Sequence, residues 1–506
     1  MISNIHFNAG HSGITLFLLV LLFVFAGSCV VQQSPVSGVT RAYAYSWEQE
    51  KQIGREVDAE IIAEFGYYAD EALQYYLTGL SEEILQNSHM RREDTAEQFR
   101  NTEFTFRVLD SPVVNAFALP GGYVYVTRGL MAHMNNEAQL AVVIGHEIGH
   151  VAARHASQRG LQQMVGQIVV LGGAILGQEL LGLPGESILN LSGTAAQLLF
   201  LRNSREHERE SDRLGVEYAA KSGFDAAEGA AFFTTLRRLS ERAGHTLPNF
   251  LSTHPDPGQR EQSIPELARV WAERGYEQTR VNTSEYLETI AGITFGTNPR
   301  NGFTEDGFYY HPELEFQFAY PEGWQLINQP SRVVVVHPDR DAVMLLRIDH
   351  DAATARESVE AFLRVNEMEA ESVRAMRSSG RYPGYEALFT LEEENGDTLR
   401  VQLYAVEYGE KVYRFLNYTD ADKFSRYRLD FTLAVASFNA LTDPSILSIQ
   451  PIRLEIHQVP QQTTLRELLP SELPMQIEAE EVAIINQLQL DEVIEAGRLI
   501  KVPVQN

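Results

Sequence analysis

"AVVIGHEIGH", residues 141–150, sets two histidines four positions apart in an apolar stretch, with a glutamate directly after the first. The wider run "AQLAVVIGHEIGHVAARHASQ" contains no proline, and Leu140, Val143, Ile144, Ile148 and Val151 recur at helical spacing. This pattern predicts a helix buried in a core. His146 and His150 then project from one face of it, where two imidazoles can reach one Zn²⁺. Glu147 lies about 100° further round the helix. There it can act as general base toward a water on the metal and later hand the proton to a leaving amine. A short motif of this kind also arises by chance in ordinary buried helices, so the rest of the chain must supply the context.

A hydrolytic zinc needs a third protein ligand and an open fourth position. Downstream, "SREHERESDRLGVEYAAKSGF" (204–224) reads as a second helix, with Glu208 and Asp212 four apart and therefore on one face. His207 and Glu210 fall on other faces and are expected at the surface.

The three stretches "NAFALPGGYVYVTRGL", "HEIGHVAARH" and "SREHERESDRLG", in this order, resemble the HtpX/Ste/Oma-type gluzincin zinc metallopeptidases, metallopeptidase family forty-eight, and most of all their periplasmic BepA-like branch. The resemblance spans roughly residues 47–262. It implies one Zn²⁺ per chain held by His146, His150 and Glu208, with Glu147 as base and Asp212 orienting a ligand histidine. It also implies that His254, in "LSTHPDPGQR", approaches the zinc, either as an inhibitory ligand or as a transition-state donor. Arg154 and His155 follow the family pattern but are expected to turn away from the ligand face and serve the structure. His89, His133, His245, His311, His337, His350 and His457 stand alone, and no catalytic role is expected of them. The implied activity is hydrolysis of peptide bonds in unfolded or misassembled envelope proteins. The alternative is an envelope-protein assembly chaperone with a gated or latent protease site.

The 506 residues leave room for several cores. A net charge of -27 argues against nucleic acid, and only five of the 41 basic residues are lysines. Cys29 is the single cysteine, so it has no disulfide partner within the chain. It follows the apolar run Ile14–Ala26, too short for a bilayer span but suited to a signal peptide. "FAGSC" resembles a bacterial lipobox, which implies a lipid on Cys29 and a position in the bacterial envelope, facing the periplasm at the outer membrane.

The expected organisation is a lipoprotein-type signal over 1–28, a tether over 29–46, and a zinc metallopeptidase domain over 47–290. An α+β accessory domain over 305–440 and a small βααβ unit over 446–506 follow. The fold class is α+β, with a mainly helical zincin-type peptidase domain carrying a small sheet. The last unit resembles a LysM module without its usual opening, which implies a peptidoglycan contact. Between the two ligand helices, the Gly-rich run from Gly160 to Leu201 reads as a mobile cover. "FALPGGYVYVTR" reads as an edge strand that an extended polypeptide substrate could join.

Overall fold

The computed structural model describes residues 30–160, 203–242, 250, 254, 257–392, 396–474 and 477–505. The signal segment, Cys29 and the Gly-rich cover fall outside them.

Helix α1, Trp47–Phe65, starts at a capping box in which the Ser46 hydroxyl accepts from the Gln49 backbone and Gln49 Oε1 accepts from the Ser46 amide. Helix α2, Glu71–Gln86, is capped by Asp70. Three short strands follow: β1 (Thr105–Leu109), β2 (Ala116–Leu119) and β3 (Tyr123–Thr127). Their order is β1-β3-β2, with β1 parallel and β2 antiparallel to the central β3. The sheet's two edges are thus β1 and β2, and β2 lies beside the helix that follows.

That helix, α3 (Glu137–Ala153), begins at Asn136, whose side chain accepts from the Gln139 amide. Every one of its residues is buried, as expected of a helix running through a core. Against it lie α4 (Arg205–Lys221) and α5 (Gly229–Arg242), and α6 (Pro257–Glu273) packs on both of these.

Two glycines set the spacing of α3 and α4. A Cβ on Gly145 would lie 2.8 Å from the Gly215 carbonyl oxygen, and one on Gly215 would lie 2.7 Å from the His146 nitrogen. Glycine within a helix costs about 1 kcal/mol relative to alanine. Here it lets the two backbones touch, which brings Glu208 and Asp212 within reach of His146 and His150. We expect Gly215→Val to force the helices apart and weaken zinc binding at least ten-fold, about 1.4 kcal/mol, in competition with a chromophoric chelator. Gly79→Ala, on the open face of α2, serves as the control. Unchanged affinity in Gly215→Val would show that this crossing does not set the site.

The middle of the chain forms a seven-stranded antiparallel sheet from β4 (Gln325–Gln329), β5 (Arg332–Val336), β6 (Ala342–Asp349), β7 (Ser372–Arg377), β8 (Pro383–Glu392), β9 (Thr398–Tyr408) and β10 (Lys411–Asp420). The order is β7-β8-β9-β10-β6-β5-β4. Helix α7 (Ala355–Val365) covers one face. Helix α8 (Phe424–Ala436) and a four-stranded sheet containing Phe316 and Phe318 cover the other. Strand β7 escapes the sequence reading because "SVRAMR" is exposed over most of its length and shows no apolar alternation.

The last residues pair β11 (Arg453–Gln458) with β12 (Leu499–Val504) and place α9 (Ala479–Ile485) between them in sequence. This unit is joined to the peptidase helices. Lys501 is fully buried, and its ammonium donates to the carbonyls of Ala132 (2.8 Å) and Met134 (2.7 Å). Burial pushes this lysine well below its usual range, and those two carbonyls accept the hydrogen bonds of its buried amino group. Arg238 on α5 reaches Glu480 at 2.8 Å, and Leu454 exchanges backbone hydrogen bonds with Gly292 and Ile293.

One expectation is corrected. Residues 30–46 are not a free tether: Val30–Gln33 and Thr40–Tyr43 pair as a hairpin on the peptidase domain. Tyr43 is fully buried there, under the Arg154 guanidinium at 3.7 Å from its ring centroid. The segment is polar and turn-rich in sequence because one buried ring and one cation hold it, rather than an apolar stripe.

Candidate metal centre

The end of α3 builds half of the site. The helix stops at Arg154, whose φ of 60° and ψ of 40° are left-handed, a conformation that costs a non-glycine residue roughly 1–2 kcal/mol. Arg154 is held in it by Glu50 (2.6 and 2.9 Å), Gln32 (2.9 Å) and the Tyr45 carbonyl (2.7 Å). The resulting turn folds His155 back beneath the helix, so that its Nδ1 lies 2.9 Å from His150 Nδ1.

Four side chains then converge. His146 Nε2 lies 2.9 Å from His150 Nε2 and 3.3 Å from His254 Nδ1. The Glu208 carboxylate lies 3.5 Å from His146 Nε2, 3.4 Å from His150 Nε2 and 3.0 Å from His254 Nδ1. One ligand atom from each of the four lies within 4.8 Å of all the others, and all four residues are buried. Ligand nitrogens about 2.0–2.1 Å from a tetrahedral zinc sit about 3.3 Å apart, which is the spacing found here. Two imidazole nitrogens turned toward each other in a dry pocket need a cation or a shared proton between them, so the donor set fits a zinc ion.

The protons behind the ligands are also ordered. His146 Nδ1 lies 2.9 Å from Asp212 Oδ1, which leaves Nε2 to face the cluster. When His150 uses Nε2 as a ligand, its Nδ1–H donates to His155, whose Nε2–H donates to Glu210 at 3.2 Å. His207 stacks on His155 with ring centroids 4.3 Å apart. The expected surface positions of His207 and Glu210 are therefore corrected. His207 is buried, Glu210 is largely covered, and both support His150 through His155. His155 likewise does not turn away from the site. The sequence hid this because the relation depends on the left-handed turn at Arg154, which helical spacing does not show.

Arg260 on α6 is a further residue the sequence reading passed over. Its guanidinium binds Glu208 through Nη2 and Asp212 through Nε at 2.8 Å. Two buried carboxylates on one helix face required a buried cation, and that was the available signal. Burial alone would raise the Glu208 carboxyl, but His254 and His150 outweigh it and hold it well below the usual range. The ligand carboxylate is ionised.

Glu147 differs. It is almost fully buried, and neither carboxylate oxygen accepts a hydrogen bond among the described residues. His254 Nε2 lies 3.5 Å from Oε1. Burial raises its carboxyl above the ordinary range, partly opposed by His254 and His146. A buried carboxyl without partners is costly, and one beside a metal cluster is poised to take up a proton.

Residues 82–268 match peptidase family M48. This segment of the chain carries an M48 peptidase domain. The mitochondrial metalloendopeptidase OMA1 of Bos taurus is 35% identical over 167 residues, 32% of this chain and 31% of that protein. The beta-barrel assembly-enhancing proteases of Yersinia pestis (30% over 233 residues) and Escherichia coli K12 (29% over 232 residues) each match 45% of this chain and 45% of their own length. The chain thus spans between about a third and a half of the length of these M48 relatives. M48 metallopeptidases use zinc, and the M48 domain here contains the whole cluster from His146 to His254.

Proposed function

We propose that this chain is a zinc-dependent endopeptidase of the bacterial cell envelope, cutting unfolded or misassembled envelope proteins. The observation that carries the reading is Glu147: a buried carboxylate with no hydrogen-bond partner among the described residues, next to a cluster of His146, His150 and Glu208 whose spacing suits zinc. Zinc, when bound, supplies a Lewis acid that polarises a carbonyl and acidifies water. Glu147 takes a proton from the attacking water and returns it to the leaving amine. Asp212 and His155 hold the ligand imidazoles in the tautomers that expose Nε2. The edge strand β2 offers main-chain donors and acceptors to an extended substrate, which favours unfolded polypeptide over compact protein.

Purified protein should hold about one zinc per chain and cleave casein in a chelator-sensitive manner. Metal analysis and a casein assay check both, and protein that stays metal-free after zinc reconstitution would sink the reading.

A second reading is an assembly chaperone with a closed protease site. It draws on His254, which sits on Glu208, reaches toward Glu147 and is almost fully buried. The intact Glu147 favours the peptidase, since a chaperone has no use for a general base.

Membrane attachment through a lipid on Cys29 belongs to the same proposal and is supported by the sequence before it. Cys29→Ser should release the protein in soluble form or leave it unprocessed. Unchanged processing and fractionation with membranes would remove the anchor. Contact of the LysM-like unit with peptidoglycan rests on its sequence resemblance alone.

A further inference from the structure

The seven-stranded sheet holds a cavity of about 250 Å³ where α7 ends. The helix stops at Val365 while β8, β9 and β10 continue beneath it, leaving a gap between sheet and chain. Its walls are apolar, formed by Leu345, Phe362, Phe389, Val401 and Leu416. Two arginines, Arg347 and Arg414, also line it.

These arginines are direct cross-strand partners on β6 and β10. Like charges placed opposite each other across an antiparallel pair destabilise the sheet. Two carboxylates offset this: Asp351 acts on Arg414 through space, and Asp349 binds Arg414 Nη1 at 2.9 Å and accepts from the Ser358 hydroxyl at 2.6 Å on the same oxygen. Arg347 donates no hydrogen bond among the described residues. Burial, and then Arg347 itself, depress Arg414 to about 10. Burial also depresses Arg347, against the pull of Asp349. The cavity therefore presents Arg347, a guanidinium that donates no hydrogen bond among the described residues, on an apolar wall.

We propose that this cavity binds a medium-chain fatty carboxylate, with its acyl chain against Leu345, Phe389 and Leu416 and its carboxylate on Arg347. An apolar cavity of about 150 Å³ accommodates benzene, which has six non-hydrogen atoms. By that scale 250 Å³ holds about ten, the size of octanoate. A carboxylate is the planar anion that a guanidinium binds through two parallel hydrogen bonds, and it supplies acceptors for the Arg347 donors. Nothing in this site depends on the metal centre.

The test is calorimetric titration of the full chain with sodium octanoate, alongside octanol and acetate. Octanoate should bind one to one, while octanol, which lacks the charge, and acetate, which lacks the chain, should each bind at least ten-fold more weakly. Arg347→Gln should cost octanoate at least ten-fold in affinity with zinc content and casein cleavage unchanged. Should Arg347→Gln fail to fold, Met368→Trp, at the half-buried rim, should block binding by filling the mouth. No heat with octanoate, equal binding of octanol, or full affinity in a folded Arg347→Gln or Met368→Trp protein would each overturn the assignment. So would displacement of octanoate, at lower concentration, by a peptide ending in a free phenylalanine carboxylate.

Discussion

Glu147→Gln should retain zinc and lose proteolysis. The amide is nearly isosteric with the carboxyl, and Glu147 lies outside the group of four side chains that could hold the ion. Metal occupancy should stay within error of the unaltered protein. The amide cannot accept a proton from water, and a positioned general base contributes about 10²–10⁴-fold. Casein turnover should fall by at least that lower bound. Because the buried carboxyl has no hydrogen bond to lose among the described residues, and burial penalises its charged form, the melting temperature should hold or rise. Loss of zinc in Glu147→Gln would make Glu147 a ligand and remove the proposed base.

His254→Ala should raise basal cleavage. The imidazole lies against the cluster, stacked on Phe250 at 4.6 Å and 3.3 Å from His146 Nε2, a position from which it would block a substrate carbonyl. A closed state favoured by about 1.4 kcal/mol holds roughly nine-tenths of the molecules, so releasing it raises the rate up to about ten-fold. Self-cleavage should rise with it. The opposite result, slower turnover with zinc still bound, would assign His254 to transition-state stabilisation. An effect on neither rate nor zinc affinity would exclude it from both roles.

Much of the site could be read from the sequence because it depends on spacing within single helices. His146, Glu147 and His150 on α3, and Glu208 with Asp212 on α4, are fixed by the helical repeat. Long strands such as Ala342–Asp349 and helices such as Glu71–Gln86 also stand out, since their apolar periodicity is unbroken. What escaped depends on the meeting of distant segments. Gly145 and Gly149 lie four apart on one face, a pattern that allows close helix approach, yet only Gly215 opposite Gly145, with Ser211 and Leu214 opposite Gly149, gives it meaning. Arg260 is one arginine among many until two buried carboxylates call for it. His155 and His207 were misjudged because one left-handed residue reverses the chain between α3 and the turn after it. The hairpin at residues 30–43 rests on a cation over a tyrosine ring, and neither partner signals the other along the chain.

The burial of Lys501 changes how shortened versions of this protein must be interpreted. With its ammonium gone, the carbonyls of Ala132 and Met134 lose their donor at the foot of the turn leading into α3. Arg238 on α5 is released from the same unit. A gene truncated after the sheet domain therefore removes a structural cross-brace from the hydrolytic half. Any loss of activity in such a truncation reports damage to the enzyme's own frame, and cannot be scored as a lost attachment to the cell wall. Exposed positions on the far side of the tail, such as Glu455 and His457, are where an attachment can be probed with the brace left standing.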